Sequence, residues 1–163
     1  MPDIVNKIHK LPQRKGLTSQ RTKFWDIVIE RNGPVDCVYT KRSLAKNDYA
    51  VEHFVPFAFV SHDLIWNLIP ADKAINCSKS DKLPILRDHF DGYFNLQQLA
   101  IRTIMDSNPK NTFLQDYLTI IPKLSTINDI SKETLREKFL NNINPLITIA
   151  ANNGIEYMQS VDC

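Results

Sequence analysis

Residues 51–84 read VEHFVPFAFVSHDLIWNLIPADKAINCSKSDKLP, and the order of side chains in this stretch sets the architecture of the core. Tyr49, Ala50 and Val51 form a short apolar run that ends in a carboxylate, Glu52, and an imidazole, His53. A second apolar run, Asn67-Leu68-Ile69, follows after a long connection. Asn76 comes next, on a segment expected to turn helical near Asp72. Two strands and a helix carrying these groups can enclose one divalent cation. Mg²⁺ takes oxygen ligands, keeps several waters and needs only one or two protein groups.

Several local patterns agree with one known arrangement. Glu52 and His53 are followed by Phe54-Val55-Pro56; Asn67 sits in Trp66-Asn67-Leu68-Ile69-Pro70; Asn76 is followed by Lys79-Ser80-Asp81 and Pro84. Upstream stands Cys37-Val38-Tyr39-Thr40. This set resembles the ββα-metal core of the HNH endonucleases, including the HNH domains of CRISPR effector nucleases. The matching residues run from Cys37 to Pro84, under a third of the chain.

The resemblance implies a role for each signature residue. His53 is expected to be the general base, since neutral imidazole can take a proton from water near pH 7. Asn67 is expected to hydrogen-bond the loop backbone and so hold the base in place; its amide offers donors and an acceptor that Leu or Ala lacks. Glu52 and Asn76 are the expected ligands of one divalent ion, Mg²⁺ or Mn²⁺. Lys79, one turn beyond Asn76, would meet a phosphate oxygen. Lys41 and Arg42 either touch phosphates or belong to a solvated turn. The implied substrate is DNA, double-stranded, cut to 5′-phosphate and 3′-hydroxyl ends. Glu52 stands where relatives more often carry Asp. Its longer side chain points to an enzyme that favours Mn²⁺ over Mg²⁺. In relatives with structural zinc a second Cys follows Cys37 closely; here those positions are Tyr39 and Thr40, so no structural zinc is expected. Asp63 is expected to cap or turn the loop, and His62 to be a surface loop residue.

Composition narrows the class. Three cysteines, Cys37, Cys77 and Cys163, are odd in number and far apart, which gives no disulfide framework. No apolar run approaches the ~20 residues of a membrane span, and Met1-Pro2-Asp3 opens no secretory leader. A cytoplasmic protein without a membrane partner is expected. Net charge is +2. Residues 1–84 hold 13 Lys/Arg against 9 Asp/Glu, whereas residues 85–163 hold 7 against 9. The positive bias beside the expected site suits a phosphate backbone, or is an ordinary solvated surface.

The flanks read as helices, giving an α+β fold: a small HNH core preceded by a helix and followed by a mostly helical half. Residues 1–34 form a basic arm and a helix, 35–84 the nuclease core, and 85–163 a helical extension packed on it. Lys7, Lys10, Arg14 and Lys15 make the arm either a nucleic-acid contact or a loose leader. Thr18 or Ser19 is expected to cap a helix with a Phe24, Ile27, Val28, Arg31 stripe, stopped by Gly33-Pro34. Trp25 broadens its apolar face. Val35 to Tyr39 reads as a strand, and residues 41–43 as a turn. Helices are expected over 92–106, over 113–121, from a Ser131 cap with a Leu135, Phe139, Ile143 stripe, and from Pro145 to Asn152. No P-loop or G-x-G-x-x-G occurs. Two functional classes follow: a metal-dependent DNA endonuclease, with bacterial defence as the expected setting, or a weakly active or inactive nucleic-acid-binding subunit of a larger defence or mobile-element complex. A homodimer is a further expectation.

Overall fold

The computed structural model describes residues 16–75 and 79–159. The basic arm and Asn76, Cys77 and Cys163 lie outside the described residues. The architecture is α+β: two small antiparallel sheets in the first half, with helices before and after them.

Helix α1 covers residues 18–32, and Gly33, at φ 83°, ends it in a backbone region that costs glycine little. Leu17 precedes the helix and no side chain caps it, so the expected Thr18 or Ser19 cap is corrected. A π-turn at Arg21–Trp25 explains the altered stripe. One extra residue per turn brings both Phe24 and Trp25 to the core, together with Val28 and Ile29. Arg31 stays at the surface and pairs with Asp106.

Strands β1 (Val35–Asp36) and β2 (Ser43–Leu44) form the first hairpin. The expected strand to Tyr39 is thus cut short. Residues 37–42 turn back instead: Lys41 N donates to the Cys37 carbonyl and Cys37 N to the Arg42 carbonyl. Lys41 takes φ 65° to close this turn. Strands β3 (Ala50–His53) and β4 (Leu68–Ala71) form the second sheet, with Glu52 opposite Ile69 and His53 opposite Leu68. Pro70, opposite Val51, is tolerated because a two-stranded sheet is all edge. Between them lie the short helix α2 (Phe57–Val60) and a 3₁₀ turn at Ile65–Asn67.

Helix α3 (Leu86–Ser107) crosses the back of this core and begins earlier than the spacing of its apolar residues suggests. Gly92 lets it approach the first hairpin closely, since a Cβ there would lie 3.3 Å from the Val38 methyls. A 3₁₀ segment, Thr112–Thr119, replaces the expected helix over 113–121. Helix α4 (Lys132–Asn152) is continuous, with Ser131 Oγ accepting from Thr134 N at its start. Pro145 lies inside it, so the two expected helices are one. Proline removes one hydrogen bond, and the buried stripe Leu135, Phe139, Ile143, Ile147 holds the helix together across that gap.

The core joins these parts. Tyr93 stacks on Phe54 at 4.2 Å, and Phe139 of α4 meets Tyr93, Phe94 and Tyr117 edge-on or tilted. Burying each such ring contributes about 2–3 kcal/mol relative to exposure. Leu83, at the end of the second sheet's following segment, bridges in parallel to Tyr157 through bonds to Glu156 and Met158. No helix among the described residues is long and apolar enough to cross a membrane.

Candidate active site

The β3–β4 pairing brings His53 and Asn67 together. Phe54 N donates to the Asn67 carbonyl. The Asn67 side chain then clasps the next residue from both sides: Oδ1 accepts from Val55 N at 2.8 Å and Nδ2 donates to the Val55 carbonyl at 2.8 Å. Asn67 is fully buried, so these bonds satisfy groups that water cannot reach. The backbone just after His53 is thereby fixed.

His53 ends β3 and is 4% exposed. Its ring tilts against Phe57, centroid to centroid 5.3 Å, and Nε2 lies 2.7 Å from Oδ1 of Asp63. Asp63 was legible in the sequence only as a turn residue. Its position here follows from the path of the loop, which leaves His53, passes through α2 and returns to Asn67. Other elements hold the returning arm of that loop. Asp116 accepts from Ile65 N, Tyr93 donates to the Trp66 carbonyl, and Gln97 donates to the carbonyls of Ile65 and Leu68. Tyr117 completes the chain by donating to Gln97. None of these partners carries a local motif; they come from α3 and the 3₁₀ segment after it. Burial raises the Asp116 carboxyl above its ordinary value, opposed by the Ile65 N–H and by His62.

Glu52 precedes His53 on β3 and is 9% exposed. Its charge reaches Tyr39, whose phenol is held well above its ordinary value by burial first, then by Glu52 and Cys37. Tyr39 sits in the 37–42 turn, and that turn is fastened to Asp72 just after β4. Thr40 Oγ1 and the Arg42 guanidinium bond the Asp72 carboxylate, and Asp72 N bonds the Cys37 sulfur. Asp72 Oδ1 also accepts from Ala74 N and starts the 3₁₀ turn Lys73–Ile75. That N–H, followed by Arg42, keeps the Asp72 carboxyl below its ordinary value.

The expected phosphate contacts are placed as follows. Arg42 is held by both Asp48 and Asp72, at 2.8 and 3.0 Å. Lys41 is exposed and its ammonium donates to the Val38 carbonyl. Lys79 is fully buried and donates to the Lys82 carbonyl at 2.6 Å. Asn76 lies outside the described residues. His62 is half-buried, edge-on to Trp66, with Nδ1 accepting from Leu64 N. Trp25 is fully buried, which leaves it no face for base stacking.

Among the described residues no three His, Cys, Asp or Glu side chains converge on one point. The chemistry near β3 nevertheless fits a hard divalent cation of sparse protein ligation. It offers a buried carboxylate, Glu52. Cys37 is a free, buried thiol.

No curated protein and no solved structure matches the chain. Residues 37–85 match the family model described as HNH endonuclease, a family of nucleases. That span begins at the turn carrying Tyr39 and includes both strands that carry Glu52, His53 and Asn67. Residues 37–85 are thus similar to the HNH endonuclease family.

Proposed function

We propose that the protein is a metal-dependent endonuclease that hydrolyses DNA phosphodiester bonds. The observation that carries this reading is the 2.7 Å contact between His53 and Asp63, on a hairpin clamped by Asn67, inside the HNH segment. With its proton held on Nε2 by the Asp63 carboxylate, the imidazole carries its lone pair on Nδ1. That nitrogen accepts a proton from water as the water oxygen bonds to phosphorus. The bond from phosphorus to the 3′ oxygen breaks, leaving a 5′-phosphate and a 3′-hydroxyl. Asp63 keeps the ring oriented and stabilises the imidazolium that results. Asn67 fixes the strand end from which His53 projects.

Glu52 and Asn76 would hold one divalent ion, Mg²⁺ or Mn²⁺. When bound, that ion offsets the charge that builds on the phosphate and the leaving oxygen. Lys41 is the basic side chain of the turn best exposed to meet the backbone of double-stranded DNA. Lys79, buried beside the helix, serves the site from within, and Arg42 orders the turn through its two carboxylates. Purified protein incubated with supercoiled plasmid and Mg²⁺, Mn²⁺ or EDTA tests the reading directly.

A second reading is an HNH-like binding subunit of weak or lost activity, within a larger defence complex. The burial of Lys79 and the capture of Arg42 by carboxylates favour it, because both remove cations from a phosphate. Binding of DNA without cleavage in any metal would select it.

A further inference from the structure

The HNH segment leaves few cations for a phosphate. Arg42 is held by Asp48 and Asp72, and Lys79 is buried against the Lys82 carbonyl. Outside that segment, α1 and the chain after α3 border an open groove of about 440 Å³. Lys23 lines it from α1, and Asn108, Lys110, Asn111, Thr112 and Phe113 line it from the chain after α3. The two sides are tied together: Asn111 Nδ2 donates to the Lys23 carbonyl at 2.9 Å, while its Oδ1 accepts from Phe113 N. Both lysines are exposed, and neither ammonium has a hydrogen-bond or ion-pair partner among the described residues. No carboxylate lines the groove. Asp26 and Asp106, close to it in sequence, are engaged by Tyr49 and Arg31. Two unpaired ammoniums in an acid-free groove are complementary to phosphate.

One element joins this groove to the candidate active site. Phe113 and Asp116 stand three apart on the 3₁₀ segment Thr112–Thr119, where such positions eclipse. Phe113 lines the groove, and Asp116 accepts from Ile65 N, two residues beyond Asp63. The reach of these short stretches keeps Thr112 within about 25 Å of Asp63, roughly seven base pairs of duplex. We propose that the groove binds the DNA backbone, with Lys23 and Lys110 each contacting one phosphate to the side of the cleaved position. The proposal rests on the DNA reading above and carries its footprint beyond the HNH segment. Contacts of this kind position a duplex without reading its sequence.

Lys23→Ala/Lys110→Ala tests this, by fluorescence anisotropy with a labelled duplex in EDTA across a salt series. Loss of two phosphate contacts should lower the slope of log affinity against log salt by about 2. Between about 50 and 200 mM salt the parent should then lose about 10-fold more affinity than the variant. Lys23→Arg/Lys110→Arg keeps both charges and should keep the parental slope. So should Lys123→Ala/Lys132→Ala, which removes the same charge outside the groove. A groove variant with the parental slope overturns the proposal, and so does an equal fall in the Lys123/Lys132 control, which would trace the effect to net charge. If the parent binds and cuts plasmid DNA while the groove variant keeps its slope, only this proposal falls. A parent that binds no duplex at any salt removes the DNA reading as well.

Discussion

Nε2 of His53 and Oδ1 of Asp63 lie 2.7 Å apart, brought together across ten positions of chain by a loop that Asn67 closes. A carboxylate at this distance fixes the tautomer and the orientation of the ring. Exchange of His53 for Ala is expected to lower cleavage by about 10²–10⁴-fold with folding intact. Asp63→Asn should lower it less, by roughly 10-fold or more. Cleavage by Asp63→Asn at the parental rate would show that Asp63 acts only as a turn residue.

Asn67 answers to a different measurement. Its two bonds to Val55 are buried, and Asn67→Ala leaves a donor and an acceptor unsatisfied, at about 1–3 kcal/mol each. Activity and melting temperature should fall together. Asn67→Asp retains the acceptor for Val55 N and loses the donor to the Val55 carbonyl, so an intermediate loss is expected. Full activity in Asn67→Ala, by plasmid nicking, would remove the clamp from the account.

Much of this site was legible in the sequence, because its signature is local. Glu52 beside His53, and Asn67 opening the next apolar run, fall within a single hairpin whose strands the apolar runs mark. The partners of the loop were not legible for the opposite reason. Gln97, Tyr93 and Asp116 reach Ile65, Trp66 and Leu68 from elements far along the chain, and only the packing of α3 and of the 3₁₀ segment after it puts them there. The helix edges show the same division. Gly33 stops α1 through its own backbone preference, a local cause. The π-turn at Arg21–Trp25 and the continuity of α4 through Pro145 depend on tertiary packing, which no local pattern carries.

Two histidines set a pH dependence of stability. Burial pushes His62 and His89 below their ordinary value of 6.5, so the folded chain resists protonation that the unfolded chain accepts. Between those lowered values and 6.5 the unfolded state binds more protons, and stability falls as pH drops through that window. Asp116, raised by burial, works in the opposite sense. Thermal melts at pH 7.5 and 5.5 check this, with His89→Gln as the comparison, since Gln can still accept from Ile85 N. The variant should lose less on acidification than the parent; an equal loss in both would exclude His89 as a source.

Glu52 should decide the choice of metal. Cleavage is expected to be better in Mn²⁺ than in Mg²⁺, because Mg²⁺ demands closer octahedral placement of its ligands. Glu52→Ala should abolish metal-dependent cutting, and Glu52→Asp should change the preference between the two ions more than it changes DNA binding. Unaltered cutting by Glu52→Ala would mean that Glu52 is no ligand.

The central claim is that His53 and a divalent ion together hydrolyse DNA, and plasmid cleavage tests it most directly. Supercoiled DNA is incubated with the parent and with His53→Ala, in Mg²⁺, Mn²⁺ or EDTA, and the ends of the products are mapped. The account predicts nicked DNA with 5′-phosphate and 3′-hydroxyl ends from the parent in either metal, and none in EDTA or from His53→Ala. Equal cutting in EDTA or by His53→Ala, or a parent that binds DNA and cuts it in neither metal, would contradict it.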